Sequence, residues 1–363
     1  MTVMGRNANI LTALALATVA ASGCTNITPG GDKAGGREGQ VVLRLANTSY
    51  GPGDSLAHFV KEVALISGAH VRVQVVNQFG AYAPDAEVQV VQAVASGKVD
   101  LGWVGSQVFD SMGVSSLTAL SAPMLIDSHP LESAVLESNM TKQMLDGLGA
   151  IGVTGLAASP GALHVPISVD HPLVAPADWR GISFGTYRSK VQERTVRALG
   201  ATPVEAFGIL RSHALDAHSI QGFELGVQGY ERLGLVTQAR YVAVNVVLWP
   251  GVDVVFANPN RLLSLTRQQR GVLEEAAMDT VKHMALIGDD VTVSIQAACA
   301  KGARFVTAEP AQLAALRSAL SAVYDVLERD APTKSFIEQI QRLKTSTPPD
   351  PAPHIPASCS GSR

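Results

Sequence analysis

The first third of the chain alternates between two hydrophobic periods, and this constrains the fold more than any other feature. Apolar residues at every second position predict strands over Val41–Asn47 and His70–Val76, and a mostly apolar strand follows at Val99–Val104. Between them, helical spacing predicts one helix from about Asp54 to Ile66 and another over Asp85–Ser96. Strands that alternate with helices pair in parallel, so this order predicts a doubly wound α/β lobe.

The alternation resumes in the rest of the chain. Further predicted strands are Ile151–Ala157, Gly181–Thr186, His218–Phe223, Arg240–Val247, Val252–Ala257 and Arg304–Val306. Further predicted helices are Leu131–Leu148, Ser189–Leu199, Glu224–Leu233, a long region from Thr266 past Cys299, Ala311–Leu327 and Thr333–Leu343. At 363 residues the chain is long enough for roughly two lobes.

Composition excludes several classes of protein. The chain is 47% hydrophobic and 16% charged, which supplies a sizeable core and argues against disorder. The net charge is −3 with scattered Lys and Arg, so nucleic acid is not expected as a partner. Three cysteines are too few for a disulfide-stapled miniprotein or a multi-cysteine zinc module.

Both ends of the chain predict segments outside the core. Residues 1–23 have the form of a lipoprotein signal peptide, with Cys24 following small residues as the lipidation site; the alternative is an ordinary signal peptide with an incidental cysteine. A glycine-rich tether is predicted over residues 24–40. Residues 345–363 contain five prolines and are predicted to be a disordered tail, in which Cys359 is available to pair with Cys299; the sequence leaves that pairing open.

Motifs for catalysis or cofactor binding are missing. The sequence has no Walker phosphate loop, no His-Glu-x-x-His zinc pair and no Gly-x-Ser-x-Gly nucleophile elbow. The nine histidines are dispersed, and none is assigned to catalysis. We therefore predict no enzyme, no metal and no cofactor, and keep a secreted α/β enzyme only as a weaker alternative.

A series of short motifs resembles one family. Trp-Arg-Gly-Ile-Ser-Phe-Gly-Thr begins at Trp179, Arg-Ala-Leu-Gly-Ala-Thr-Pro-Val spans 197–204, and Ile-Gln-Gly-Phe-Glu spans 220–224. Their order and spacing resemble the solute-binding subunits of tripartite ATP-independent periplasmic (TRAP) transporters of the dicarboxylate-receptor type. Ser96–Asp100 and Ser121–Pro123 also fit this family, and the resemblance covers roughly Val41–Leu343.

The resemblance implies a type II periplasmic binding protein with two α/β lobes joined by a hinge. Lobe I would comprise 41–160 with 252–303, and lobe II 161–251, with a long helix spanning both and residues 304–344 bracing them. The implied function is capture of a small organic acid in the cleft and delivery to a TRAP membrane permease. The protein would be lipid-anchored at the outer face of the cytoplasmic membrane, or periplasmic. The alternatives are a ligand sensor or interaction protein on this fold, or a binder of a non-carboxylate solute.

The sequence departs from the family at the ligand-anchoring arginine. The family places an arginine, which binds the solute carboxylate, on a strand where this chain has Gly185. A second arginine of many members is also missing, since that region reads Leu163-His164-Val165-Pro166. Two explanations stay open: Arg188 reaches into the cleft, or the ligand is not a simple carboxylate.

Ligands of open α/β sheets bind beyond the carboxyl ends of the strands, and this rule nominates the site residues. In lobe I they are Tyr50, Ser106 and Gln107. In lobe II they are Tyr187, Arg188, Trp249 and, by its match to the family's Gly-x-Glu motif, Glu224. Each also has a structural explanation, such as loop cover, hinge packing or a helix-terminus charge. Trp103 lies within a strand and is assigned to the core.

Overall fold

The computed structural model describes residues 40–287 and 291–360. The predicted signal peptide, the lipidation site Cys24 and all of the tether but its last residue lie outside the described residues. Within the described part of the chain, no helix combines the length and the apolar character needed to cross a bilayer.

The described residues form strands that follow the predicted alternation. In chain order they are β1 (Val41–Asn47), β2 (Val71–Val76), β3 (Leu101–Gly105), β4 (Thr154–Ser159), β5 (Leu163–Ser168), β6 (Ser183–Thr186), β7 (Thr202–Glu205), β8 (Gly222–Leu225), β9 (Tyr241–Ala243), β10 (Trp249–Pro250), β11 (Asp253–Ala257) and β12 (Arg304–Val306).

The α-helices alternate with these strands. They are α1 (Asp54–Ile66), α2 (Ala86–Ala95), α3 (Val108–Ser111), α4 (His129–Leu136), α5 (Asn139–Asp146), α6 (Lys190–Leu199), α7 (Ile209–Asp216), α8 (Val227–Arg232), α9 (Pro259–Ser264), α10 (Arg267–Ile287), α11 (Val291–Ala300), α12 (Pro310–Ala319), α13 (Ser321–Leu327) and α14 (Ala331–Ser346).

The first sheet has the strand order β2-β1-β3-β11-β4. The strands β1, β2 and β3 run parallel, as their helical connections require, whereas β11 is antiparallel to both of its neighbours. All five residues of β3 are buried. A strand that comes from 150 residues further along the chain thus completes the sheet begun at the N-terminal end.

The second sheet has the order β12-β9-β5-β8-β6-β7, and β10 pairs with β5. Three of its strands, β5, β7 and the two-residue β10, were not among the predicted strands. Pro166 lies within β5, and Pro203 within β7; proline cannot donate to a ladder, so both segments lack a typical strand pattern. The sequence also placed Glu224 at the start of a helix, which is wrong: Glu224 lies in β8, opposite Pro166, and α8 begins at Val227.

The chain crosses between the two sheets at two adjacent places. One crossing joins β4 to β5 through residues 160–162, and the other joins β10 to β11 through Gly251 and Val252. Gly251 N donates to Ala162 O at 2.8 Å, and a Cβ on Gly161 would overlap the carbonyl oxygen of Gly251. Glycine is required here because the two crossing segments touch backbone to backbone.

The long helical region packs on elements of both sheets. Helix α10 contacts α1, α4 and β4 around the first sheet, and α11 contacts α8 beside the second. The C-terminal helices add further contacts, α13 with α6 and α14 with α4. A polar contact also joins α3, beside the first sheet, to the N-terminus of α6, beside the second. The carboxylate of Asp110 on α3 accepts a hydrogen bond from Ser189 Oγ at 2.7 Å. It also accepts from the N–H groups of Lys190 and Val191 at 2.9 Å.

The predicted disordered tail needs correction over its described part. Helix α14 continues to Ser346, and Asp350 Oδ2 then accepts from His129 N at 2.9 Å. Cys359 is buried and forms a disulfide with Cys299 of α11, so the pairing that the sequence left open is present. The prolines prevent a regular helix or strand in this segment, but they do not prevent it from packing against the body of the protein.

Candidate ligand-binding site

A cleft of about 810 Å³ lies between the ends of the two sheets. Its first wall is formed by residues of β1, β3 and β11 and by the helix α2. Its second wall is formed by residues of β5, β8 and β10, by the segment after β6 and by α7. Clefts of this size hold small solutes, and the position matches the one expected for a ligand of two α/β sheets.

Four of the residues nominated from sequence line the cleft: Tyr50, Gln107, Tyr187 and Trp249. Tyr50 is 83% exposed. Trp249 is buried, and its indole Nε1 has no hydrogen-bond partner in the part of the chain described. Tyr187 stacks on Phe207 with ring centroids 5.1 Å apart, so two aromatic faces adjoin in the second wall.

Three nominated residues are not among those lining the cleft. Ser106 is buried, and its N–H donates to Val252 O at 2.8 Å within the backbone of the first wall. Arg188 forms an ion pair with Glu205 at 2.8 Å, so its guanidinium is engaged outside the cleft. Glu224 is buried behind the wall, where its carboxylate pairs with His164 Nδ1, and His164 itself lines the cleft.

Arg211 is the cationic side chain that sequence reasoning missed. It lies on α7, lines the cleft and is only 2% exposed. Its guanidinium lies 5.2 Å from the centroid of the Phe223 ring and is hydrogen-bonded to the hydroxyl of Tyr187. Among the described residues no carboxylate lies within 4.0 Å of it. A buried cation without a counter-ion is costly, and an anion bound in the cleft would offset that cost.

The location of Arg211 explains why the sequence did not reveal it. It follows Phe207-Gly208 just beyond β7, a strand that the pattern did not predict, so no strand end pointed to it. At Gly185 the backbone lies in β6, and a Cβ there would meet Ile220 Cδ1 at 3.1 Å and Ala206 O at 3.2 Å. The space for a side chain at that position is occupied.

The first wall carries two carboxylates. Glu87 of α2 is 7% exposed and accepts from Gly105 N–H at 3.0 Å and from Gln107 Nε2 at 3.2 Å. Asp253, at the start of β11, pairs with Gly105 in the sheet register and accepts a hydrogen bond from Trp103. Burial raises the pKa of Glu87 to about 7 and that of Asp253 to about 6.

Trp103 therefore has two roles. It belongs to the hydrophobic core, as the sequence predicted, and it also lines the cleft, where its indole holds Asp253. With Trp249 from the opposite side, it adds aromatic surface beside the charged groups of the cleft.

A group with metal-ligand spacing among the described residues lies outside the cleft. It consists of His58, Glu62 and Asp279, and the His58 Nε2 to Asp279 Oδ2 distance is 2.9 Å. These residues lie on α1 and α10 and do not line the cleft. The charged residues that line the cleft are Glu87, Asp253, the buried Arg211 and the exposed Arg232, which pairs with Asp54.

Comparisons with known proteins identify the family of this chain. The family model for bacterial extracellular solute-binding proteins, family 7 (DctP), matches residues 46–330. The C4-dicarboxylate-binding periplasmic protein DctP of Rhodobacter capsulatus is 26% identical over 151 residues, a stretch that covers 42% of this chain and 44% of that protein.

Solved structures confirm the α/β fold. A TRAP periplasmic solute-binding protein from Chromohalobacter salexigens with bound D-glucuronate superimposes with a TM-score of 0.73 at 19% identity, covering 83% of this chain and 99% of the other. A second, from Ralstonia eutropha with bound (S)-2-acetolactate, gives a TM-score of 0.74 at 18% identity, covering 84% and 99%. Since the family model matches most of its length, the chain belongs to family 7 of the bacterial extracellular solute-binding proteins, the DctP family.

Proposed function

We propose that this protein is the extracytoplasmic solute-binding subunit of a TRAP-type secondary transporter, and that it captures a small organic acid in the cleft. The observation that carries the proposal is Arg211, a buried guanidinium in the cleft wall with no carboxylate of the described chain beside it. A hydrogen bond between a desolvated guanidinium and a carboxylate contributes about 1.5–3 kcal/mol. An organic acid is the class of solute whose binding this hydrogen bond would stabilise.

The relatives support the same class of solute. The bound D-glucuronate and (S)-2-acetolactate of the two structures are carboxylates, and the curated relative is named for binding C4-dicarboxylates. In this chain the guanidinium comes from α7 instead of the family's strand position at Gly185. We therefore assign the role of carboxylate anchor to Arg211 and not to Arg188.

Solute capture would involve closure of two lobes about the crossings at Gly161 and Gly251. Lobe I would comprise 41–160 with 252–303, and lobe II 161–251, which places Glu87 and Arg211 in opposite lobes. Closure would bring the two walls together and exclude water from the bound solute. Small-angle scattering with and without a bound carboxylate would measure this as a decrease in the radius of gyration.

The N-terminal sequence suggests a lipid anchor, and the family suggests a membrane permease as the partner. We infer that Cys24 carries the lipid, that residues 25–40 hold the receptor away from the membrane, and that a TRAP permease accepts the solute. Labelling with a radioactive fatty acid tests the anchor: the full chain should incorporate label, and Cys24→Ser should not. Labelling of Cys24→Ser would contradict the assignment.

We also infer that the solute leaves the cleft chemically unchanged. The side chain of His164, which lines the cleft, is hydrogen-bonded to Glu224 and not to a serine that it could activate as a nucleophile. Nuclear magnetic resonance of a bound and released carboxylate would show the original compound, whereas a new product would support an enzyme.

The central test is a thermal-shift screen with carboxylates, neutral sugars and cationic amines. We expect the melting temperature to rise with carboxylates only. A rise with neutral or cationic compounds and none with carboxylates would overturn the proposal.

A further inference from the structure

The cleft contains charges of both signs, and they lie on opposite walls. The buried positive charge is that of Arg211 on α7, in the wall formed by the second sheet; Arg232, which also lines the cleft, is exposed and pairs with Asp54. The negative charges are those of Glu87 and Asp253, in the wall formed by the first sheet. Among the described residues, no side chain of opposite charge lies within 4.0 Å of Arg211, Glu87 or Asp253.

Glu87 and Asp253 both lie beside Gly105, the last residue of β3. Glu87 accepts the N–H of Gly105, and Asp253 stands opposite Gly105 in the strand pairing. Their other hydrogen-bond partners, Gln107 and Trp103, are neutral donors. The two like charges repel each other, and the positive charge that acts on Asp253 is that of His164, which is itself paired with Glu224.

A second carboxylate on the solute would fit this end of the cleft poorly, because it would face two carboxylates of the protein. Hydroxyl groups could donate hydrogen bonds to Glu87 and Asp253, but they would leave both charges uncompensated. A cationic group would form charge-assisted hydrogen bonds with both, which are about twice as strong as neutral ones. The nearby indoles of Trp103 and Trp249 also favour a cation.

Building on the proposed function, we propose that the solute is a zwitterion whose carboxylate binds Arg211 and whose cationic group binds between Glu87 and Asp253. The cleft would thus select amino acids or related amino carboxylates over dicarboxylates and over hydroxy acids of the same length. One charge of the solute would be held by each wall, so the zwitterion would bridge the two walls.

The test compares matched probes by thermal shift and calorimetry on the full chain. One set is γ-aminobutyrate, γ-hydroxybutyrate and succinate; a second is δ-aminovalerate, δ-hydroxyvalerate and glutarate; a third sets α-amino acids against their α-hydroxy analogues. D-Glucuronate serves as a carboxylate with several hydroxyl groups. We expect the best zwitterion to bind at least tenfold more tightly than its hydroxy analogue and, in the two ω-amino sets, at least a hundredfold more tightly than its diacid.

Two single variants, Glu87→Gln and Asp253→Asn, remove one charge each while keeping the shape. Each should weaken the best zwitterion at least tenfold and change the affinity of its hydroxy analogue less than threefold. Because they are made separately, a folding defect in one leaves the other as the test. Glu205→Gln, whose carboxylate pairs with Arg188 outside the cleft, is the matched control and should change neither affinity.

The outcomes separate this inference from the proposed function. If hydroxy acids, diacids or D-glucuronate bind as tightly as the zwitterions, the inference is overturned and the organic-acid receptor remains. If no carboxylate of any set binds, the proposed function fails and the inference fails with it. If zwitterions bind best but both variants leave that preference unchanged, the assignment to Glu87 and Asp253 is overturned.

Discussion

Arg211 and Tyr187 meet in the second wall of the cleft, where the guanidinium is hydrogen-bonded to the phenol hydroxyl. Burial raises the pKa of Tyr187 to about 12, so the phenol stays neutral at physiological pH and retains its proton for a solute oxygen. The pair therefore presents a cation and a neutral donor together, which is the combination that a carboxylate requires.

The stability of the ligand-free protein should decrease as the pH rises from about 4.5 to 7. Burial raises the pKa of Glu87 from 4.5 to about 7, so the folded state binds a proton that the unfolded state has lost in this range. Asp253 faces Glu87 and shifts in the same direction. Urea unfolding between pH 5 and pH 8 measures the effect.

Glu87→Gln is the variant that isolates this contribution. The variant cannot ionise at this position. The difference between its free energy of unfolding and that of the natural protein should therefore increase by roughly 2–3 kcal/mol from pH 5 to pH 8, in favour of the variant. Parallel pH profiles for the two proteins would show that Glu87 ionises in the folded state as readily as in the unfolded one.

Glu224 should matter for stability through His164. Its carboxylate is 1% exposed and pairs with His164 Nδ1, so Glu224→Gln should lower the free energy of unfolding by about 1.5–3 kcal/mol. The matched control is Glu231→Gln, which removes a pair with Lys301 at the surface and should cost less than about 1 kcal/mol. Equal losses from the two variants would mean that the buried pair has no special contribution.

Gly161→Ala should disrupt the crossing between the sheets. The added methyl group would overlap the backbone of Gly251, and such overpacking typically costs about 1–3 kcal/mol. Gly149→Ala, at a glycine with nothing within 4 Å of an added Cβ, should change stability by less than about 0.5 kcal/mol. Thermal unfolding of both variants tests this, and an unchanged melting temperature for Gly161→Ala would show that the crossing has room to move.

The disulfide between Cys299 and Cys359 should stabilise the protein substantially. It closes a loop with a sequence separation of 60, for which the chain-entropy model gives about 4 kcal/mol. A reducing agent should lower the urea midpoint of the natural protein to that of the variant carrying Cys299→Ser and Cys359→Ser. If the reductant also shifts the midpoint of that variant, the effect does not come from this bond.

The sequence predicted the fold more fully than the site, for reasons visible in particular residues. Strands such as β1 and β3 were found because alternation or continuous apolar character reflects their burial. Tyr50, Gln107 and Tyr187 were found because they follow strand ends, which point into the cleft. Arg211 was not nominated because it lies on a helix after β7, and the proline in β7 prevented that strand from being predicted.

Glu87 shows a second limit of the sequence pattern. The helix that carries it was predicted, but a glutamate in the first turn of an amphipathic helix is ordinarily a solvent-exposed charge that favours the helix dipole. Only the pairing of β3 with β11, which are separated by about 150 residues, brings this glutamate and Asp253 to the same end of the cleft. Such long-range register cannot be inferred from local hydrophobic periodicity.

The most direct test of the account is calorimetry of Arg211→Gln against Arg188→Gln. The titrants are the tightest carboxylate of the probe sets above and its uncharged amide. We expect Arg211→Gln to weaken the carboxylate by about 10- to 150-fold, the equivalent of 1.5–3 kcal/mol, and Arg188→Gln to change it less than threefold. The amide should bind the natural protein weakly and be insensitive to both variants. Retention of carboxylate affinity in Arg211→Gln, or its loss in Arg188→Gln, would contradict the assignment of Arg211 as the anchor.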